Sequence, residues 1–449
     1  MVYRTRLQPE LLLLSRHINT KMGYVMNILK TRLLPLFLFI LLPALCVAQL
    51  PSADPASVGL SESRLGRINQ VIDKYMDDQR ISGAVTVVAR HGKIAHLETQ
   101  GMMDIEANKP MRRDAIFRMA SMSKPVTGVA ILMLMEEGKL RLSDPVSRFI
   151  PEFTDTQVAM RNEFSAGRNE PDQITDFYTV PSSREITVRD LMTHTSGLLS
   201  GGAGTRVGNR MSPRDLSMNL EQYIPTLGTV PLDFQPGSRW RYSALAGIET
   251  LGRIVEVASG MTFDQFLKER IFDTLGMTDT SFVVPPDKRA RLVTLYERTD
   301  EGTLERRDEN PGWLDTTTLF SGGGGLYSTP DDYMLFAQML GNGGELNGNR
   351  LLGLRTVELM ASNHVGDLYG PPDANRHDGL GFGLTVSVVL DPVVANTREG
   401  KGSFGWGGAF GTYFWVDPEN DLVALLMVQT PGGYLRPDFA NAVTQAIVE

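Results

Sequence analysis

Phe117-Arg118-Met119-Ala120-Ser121-Met122-Ser123-Lys124-Pro125 runs straight into an apolar stretch, residues 126–135. At about ten residues that stretch is too short to span a membrane and reads as a buried helix. With Ser121 at the first turn of the helix, Lys124 falls on the same face, with Cβ atoms about 5–6 Å apart. Burial disfavours a charged lysine and lowers its pKa. A neutral or proton-sharing Lys124 can then activate the Ser121 hydroxyl. The positive end of the helix favours negative charge developing nearby, and Pro125 is tolerated within the first turn. The Ser-x-x-Lys spacing is not diagnostic alone. About two such matches arise by chance in a chain this long, and a helix cap beside a solvated lysine is the commoner arrangement.

Outward from this segment the chain is β-rich at both ends and helical in the middle. Leu65, Ile68, Val71, Ile72 and Tyr75 recur at helical spacing, which predicts an amphipathic helix over 61–77. Residues 83–89 and 94–99 flank His91-Gly92 and predict a hairpin. Thr187 with Asp190, Ser212 with Pro213 and Asp215, and Thr262 with Gln265 mark helix starts, and Gly276 marks an end. Thr329-Pro330-Asp331-Asp332 opens a further helix that stops at Gly341. Strands are expected at 382–390, 407–416 and 422–428. A helix with Phe439, Val443 and Ile447 on one face is expected at 437–448. The expected fold class is α/β of the α+β type. One antiparallel sheet is built from both termini and flanked by helices, with an all-helical insertion between.

Composition bounds the function. The 449 residues are 42% hydrophobic and 21% charged, with net charge −8, an ordinary globular balance without the basic footprint of a nucleic-acid binder. One cysteine excludes an internal disulfide and a multi-cysteine zinc site. Of the six histidines (17, 91, 96, 194, 364 and 377) only His91 and His96 are close, and no His-Glu-x-x-His occurs. There is no Gly-x-Ser-x-Gly elbow. The glycine run 322–325 lacks a following Lys-Ser/Thr, so a mobile turn is the better reading than a phosphate loop. The Gly-x-Gly-x-x-Gly at 400–405 leads into a strand, where a dinucleotide fingerprint requires a helix.

Lys30 and Arg32 precede a 14-residue apolar run, 33–46, and Cys46-Val47-Ala48 follows as a small-x-small cleavage site. Residues 1–48 are therefore expected to be a signal peptide, with Gln49 the mature N-terminus and Met22 or Met26 as alternative starts. A lipidated Cys46 is the rival reading. No other stretch has the length of a membrane span. Periplasmic or secreted localisation is the expectation.

From about residue 55 to the C-terminus the chain resembles the serine β-lactamase and penicillin-binding-protein superfamily, above all the class C β-lactamases and the family VIII carboxylesterases. The Phe117–Pro125 segment matches its first motif. Tyr242-Ser243-Ala244, after Pro236-Gly-Ser-Arg-Trp-Arg241 and ahead of a helix over 245–260, matches the second. Trp406-Gly407-Gly408 stands where β-lactamases carry Lys-Thr-Gly, as in many of the esterases. Residues 191–198 and 322–333 also resemble recurrent family segments. The resemblance implies one hydrolase domain over 49–449, with sheet parts about 55–117 and 310–449 and a helical part about 118–309. It implies Ser121 as nucleophile, with Lys124 and Tyr242 sharing the general-base work. A cationic lysine would make the tyrosinate accessible. It further implies an oxyanion hole from the backbone N–H groups of Ser121 and Ala409, and substrate contacts at Trp406, Gly407, Gly408 and Ser243. No cofactor or metal is called for.

Two positions depart from the β-lactamase pattern. Ala244 replaces an Asn and Trp406 replaces a Lys, so two polar groups able to hold an acyl-peptide are missing. Lys401-Gly-Ser is an alternative third triplet, out of register with the following strand. His194 beside Ser196 reads as a turn ending a helix at Gly197, and Tyr178 and Trp313 as pocket lining or plain core. The expected function is a secreted or periplasmic serine hydrolase cleaving carboxylic esters through an acyl-Ser121 intermediate. Its substrate would be a small ester or acyl-peptide, with oligomeric state open. A β-lactamase or D-alanyl-D-alanine carboxypeptidase is the alternative within the superfamily. A non-catalytic penicillin-binding-like receptor is the alternative outside enzymes.

Overall fold

Residues 83–90 alternate two sets of apolar side chains, and the fold follows from that alternation. The computed structural model describes residues 49–161, 177–307, 318–369, 378–431 and 435–449. The expected leader 1–48 and Trp313 lie outside them. After α1 (Glu62–Asp77) come β1 (Gly83–Arg90), β2 (Lys93–Asp104) and the short β3 (Lys109–Pro110) and β4 (Phe117–Arg118). Successive side chains on a strand point to opposite faces. On β1, Val85, Val87 and Ala89 enter the larger core, while Ala84 and Val88 meet the face covered by α1. A strand covered on both faces is a continuous apolar run for that reason.

The central part opens with α2 (Ser123–Glu136), buried along almost its whole length. A helix apolar on every side must be covered on every side. It is followed by the ribbon β5 (Gln157–Arg161) and β6 (Phe177–Pro181), then α3 (Val188–Met192), α4 (Ala203–Met211), α5 (Leu220–Tyr223), α6 (Ala246–Ser259), α7 (Phe263–Leu267) and α8 (Asp273–Leu275). A second ribbon joins β7 (Tyr296–Arg298) to β8 (Leu304–Arg306). The insertion is therefore not all-helical, as these two ribbons accompany its helices. Tyr178, on β6, is 53% exposed and so is not part of the core.

The chain returns through β9 (Tyr327–Ser328), α9 (Pro330–Gly341), the ribbon β10 (Glu345–Leu346) and β11 (Asn349–Arg350), and α10 (Leu354–Met360). It ends with β12 (Leu380–Phe382), β13 (Ser387–Val389), β14 (Phe404–Gly407), β15 (Tyr413–Asp417), β16 (Leu422–Met427) and α11 (Leu435–Thr444). The main sheet has eight antiparallel strands in the order β12-β13-β14-β15-β16-β1-β2-β3. β16 pairs with β1, setting Leu426 opposite Thr86 and Ala424 opposite Val88. Strands from the two ends of the chain thus close one sheet, as the sequence predicts. Leu65, Ile68 and Ile72 of α1 and Phe439 and Val443 of α11 cover one face. Each such side chain, at 3% exposure or less, contributes about 1.5–3 kcal/mol. The other face carries α9 and, beyond it, the core around α2.

Several local expectations change. Residues 382–390 and 407–416 each form two strands. Gly408 N–H donates to Thr412 O (2.8 Å) and Gly411 takes φ +95°, which folds 408–412 into a turn. Ser212 ends α4 instead of starting a helix, and Asp215 accepts the Ser217 N–H in a turn (2.8 Å). The next helix starts at a capping box of Asn219 and Gln222. Thr262 sits at the N-cap of α7 without a side-chain cap bond, and a π-turn over Lys268–Phe272 separates α7 from α8. Thr187–Asp190 is a true capping box, and Thr329 accepts the Asp332 N–H.

Candidate active site

Ser121 occupies a 3-10 turn, Ala120–Met122, immediately ahead of α2. Ala120 takes φ +45°, a left-handed conformation uncommon for alanine. Strong local ties hold this turn. β4 pairs with β9, placing Phe117 opposite Ser328, and Met119 N–H donates to Leu326 O (2.9 Å). Tyr333 Oη donates to Met122 O (2.8 Å), and Ser123 Oγ accepts the Leu326 N–H (3.1 Å).

Lys124 is fully buried in the first turn of α2. Its Nζ lies 3.0 Å from Ser121 Oγ and donates to Gly323 O at 2.6 Å. Burial brings its pKa down to about 7, against the opposing charge of Glu249. The hydroxyl of Tyr242 donates to Ser121 Oγ from 2.7 Å, and Lys124 Nζ lies 4.9 Å from the Tyr242 ring centroid. Residues 121 positions apart thus meet at one oxygen. Tyr242 is held above the usual tyrosine range by burial, partly offset by Ser121, the Trp406 N–H and the charge of Arg436. The two bases are therefore unequal. Burial makes Lys124 the easier and Tyr242 the harder of the two to deprotonate.

Behind Tyr242 stands an aromatic wall. His194 packs against Tyr242 (4.7 Å), Trp240 (6.0 Å) and Phe382 (5.3 Å). Trp406 packs against Tyr242 (5.7 Å) and, edge to face, against Phe382 (5.3 Å). Tyr369 meets Trp240 at 4.8 Å. His194 forms no pair with Ser196. It is buried, it is held neutral by burial and by the Lys124 charge, and its Nδ1 accepts the Ser243 N–H (3.3 Å). Its helix, α3, ends at Met192, earlier than the expected Gly197.

Ser243 points into the protein interior. It is 1% exposed, its Oγ donates to Leu198 O (2.7 Å) and accepts the Gly247 N–H (3.1 Å). It braces the start of α6 and offers no hydroxyl to a substrate. Trp406 and Gly407 end β14, and Gly408 opens the turn that carries Ala409. A Cβ at Gly408 would stand 2.4 Å from Met119 O, so only glycine lets this turn approach the Ser121 turn. A Cβ at Gly407 would strike Arg436 Nη1 at 2.3 Å. Arg436 Nη2 donates to Gly408 O from behind. Lys401 is exposed in the turn before β14, with its N–H bonded to Glu419 (2.8 Å). It is Trp406 that meets Tyr242.

Sequence reasoning missed Glu249, Arg436, Phe382 and Tyr369, and it quoted Trp240 without a role. Trp240 carried a weak signal, lying two residues ahead of Tyr242. Among the described residues, no cluster of three or more His, Cys, Asp or Glu is set to hold a metal ion, and no helix is long and apolar enough to cross a membrane.

Comparison with known proteins points to one family. Protein Rv1367c of Mycobacterium tuberculosis is 36% identical over 370 residues, covering 80% of this chain and 88% of that one. Esterase EstB of Burkholderia gladioli is 32% identical over 404 residues, covering 84% and 94%. The solved structure of EstCE1, described as a hydrolase with promiscuous acyltransferase activity, superposes with a TM-score of 0.71 at 28% identity, over 85% of this chain and 99% of that one. Residues 68–447 match the Beta-lactamase family. Together with the shared fold, that match places the chain in the Beta-lactamase family, among the serine hydrolases of this superfamily.

Proposed function

We propose that this protein is a carboxylesterase that works through an acyl-Ser121 intermediate, in the periplasm or outside the cell. The observation that carries the reading is the double contact on Ser121 Oγ, from Lys124 Nζ at 3.0 Å and Tyr242 Oη at 2.7 Å. A neutral Lys124 has two N–H donors and one lone pair. One donor stays on Gly323 O, and the lone pair takes the Ser121 proton as Oγ attacks the ester carbonyl. The negative charge formed on the carbonyl oxygen is received by the N–H groups of Ser121 and Ala409. Tyr242 gives its proton to the departing alkoxide and is reprotonated from Lys124. Water then enters by the reverse route, and the carboxylic acid leaves. An alcohol in place of water gives transesterification, a course that the description of EstCE1 also supports.

The ester preference rests on Trp406 and Ala244. Each removes a polar group that would hold an acyl-peptide, and Trp406 instead continues the aromatic wall of Tyr242, Phe382 and Trp240. Such a wall suits an apolar acyl or alcohol group. The test is intact-mass spectrometry after mixing with short p-nitrophenyl esters and, separately, with penicillins. An acyl adduct on Ser121 from the esters, with turnover, is the expected result. Turnover of penicillins with no reaction of the esters would replace the reading with a β-lactamase.

A further inference from the structure

Glu249 lies on α6, fully buried, where a carboxylate is costly unless paired. Its Oε1 accepts from Ser321 Oγ (2.6 Å) and from Arg214 Nη2 and Nε (2.7 and 3.1 Å). Its Oε2 has no hydrogen-bond partner among the described residues. Ser321 opens a tight turn, since its carbonyl accepts the N–H groups of Gly324 and Gly325. Two carbonyls of the same turn face α2. Gly323 O accepts from Lys124 Nζ, and Gly322 O accepts from Thr127 Oγ1 (3.0 Å). One short turn thus carries Glu249 on one side and Lys124 on the other.

A brace alone would not need a charge here. A glutamine could accept from Ser321 and Arg214 through its amide oxygen, and its NH2 would occupy the place of the unpartnered Oε2. What only a carboxylate supplies is negative charge in a low-dielectric interior, across one short turn from the buried Lys124 amine. We propose that Glu249 is a positioning residue that strengthens the hold of buried Lys124 on its proton, and that Arg214 moderates its charge. The inference rests on the acyl-serine reading for its kinetic consequence only.

The groups facing Lys124 come from several elements. Ser121, Tyr242 and the Gly323 carbonyl touch it. His194, from the segment after α3, is held neutral. Arg436, from α11, acts on Tyr242, and Tyr223, from α5, faces Glu249. The charge that acts on Lys124 itself is that of Glu249, and it raises the pKa that burial lowers. Without it the lysine would hold its proton less tightly. As a weaker base it would then take the Ser121 proton less readily.

The test is a 13C NMR titration of the full chain labelled with [ε-13C]lysine, the Lys124 signal being the one missing in Lys124→Ala. Glu249→Gln should lower the Lys124 midpoint by about one pH unit, a tenfold loss of proton affinity. Arg214→Gln should raise it, because the carboxylate is then less neutralised. The acidic limb of kcat/KM should move with the midpoint in each variant. A folded Glu249→Gln protein whose midpoint is unmoved or higher overturns the proposal and leaves a structural brace. If Glu249→Gln does not fold, Arg214→Gln decides, and an unmoved or lowered midpoint overturns the proposal. The NMR midpoint is independent of turnover, so an enzyme without esterase activity would sink the acyl-serine reading while leaving this inference to stand or fall separately.

Discussion

Lys124 Nζ lies 4.9 Å from the centroid of the Tyr242 ring, and both residues reach the same Ser121 oxygen. In the proposed mechanism the pair forms one proton relay from Ser121 to the departing alkoxide. Lys124→Ala and Tyr242→Phe should each reduce kcat/KM severely, and the double variant should lose far less than the product of the two single losses. A multiplicative loss in a double-mutant cycle would assign the two residues independent roles.

Ser121→Ala should abolish ester cleavage, by about 10⁴–10⁶ in turnover, with an unchanged melting curve. Ser123→Ala, two residues on, should do the reverse. Ser123 Oγ is fully buried and accepts the Leu326 N–H (3.1 Å), so its loss leaves that donor unsatisfied at a cost of about 1–3 kcal/mol. Steady-state rates and thermal melts on the two variants separate chemistry from support. Retention of activity within tenfold in Ser121→Ala would end the mechanism.

The buried amine also makes stability depend on pH. Folding lowers the Lys124 pKa from 10.5 to about 7, so between these values the unfolded chain binds more protons than the folded one. Stability then rises with pH across that window and is weakest at and below its lower end. Lys124→Met, apolar and unbranched, should melt higher than wild type at pH 6, by roughly 2–5 °C. The gap should close as pH approaches 10. A gap that widens with pH would show that the lysine is not deprotonated by folding.

Legibility in the sequence followed the range of the interaction. Ser121 and Lys124 stand three residues apart, and helical spacing alone brings them together. The strands of the main sheet were legible as β-rich runs, yet 407–416 reads as one run because nothing local marks Gly408 and Gly411 as the turn that breaks it. Ser212-Pro-x-Asp was read as a cap because the same residues satisfy a turn equally well, and Asp215 bonds Ser217 instead. Tyr242 and Trp406 emerged only through the family resemblance. Glu249 and His194 were not legible as site neighbours. Their proximity to Lys124 and Tyr242 arises from the packing of α6 on α2 and of the 193–200 segment behind the aromatic wall, which no local pattern encodes.

Trp406 carries the last prediction, because it stands where a cation would hold a substrate carboxylate. Its ring meets Tyr242 at 5.7 Å and Phe382 at 5.3 Å, so the wall beside Ser121 is apolar. A site built around a buried polar contact discriminates strongly against substrates lacking the matching group, whereas an apolar wall does not. Short-chain esters, roughly two to six acyl carbons, should be turned over well, and penicillins and cephalosporins poorly or only to the acyl-enzyme. Trp406→Lys should shift preference toward carboxylate-bearing substrates, since a charged hydrogen bond contributes about 1.5–3 kcal/mol, or roughly ten- to hundredfold in kcat/KM. Arg436, whose guanidinium backs Gly407 and Gly408, would stand near the new cation and reduce the gain by repulsion. Trp406→Lys paired with Arg436→Gln should therefore gain more than Trp406→Lys alone, provided the 408–412 turn keeps its geometry. The ratio of specificity constants for a neutral butyrate ester and a chromogenic cephalosporin measures each step. A wild-type ratio favouring the cephalosporin would show that the aromatic wall does not set the preference.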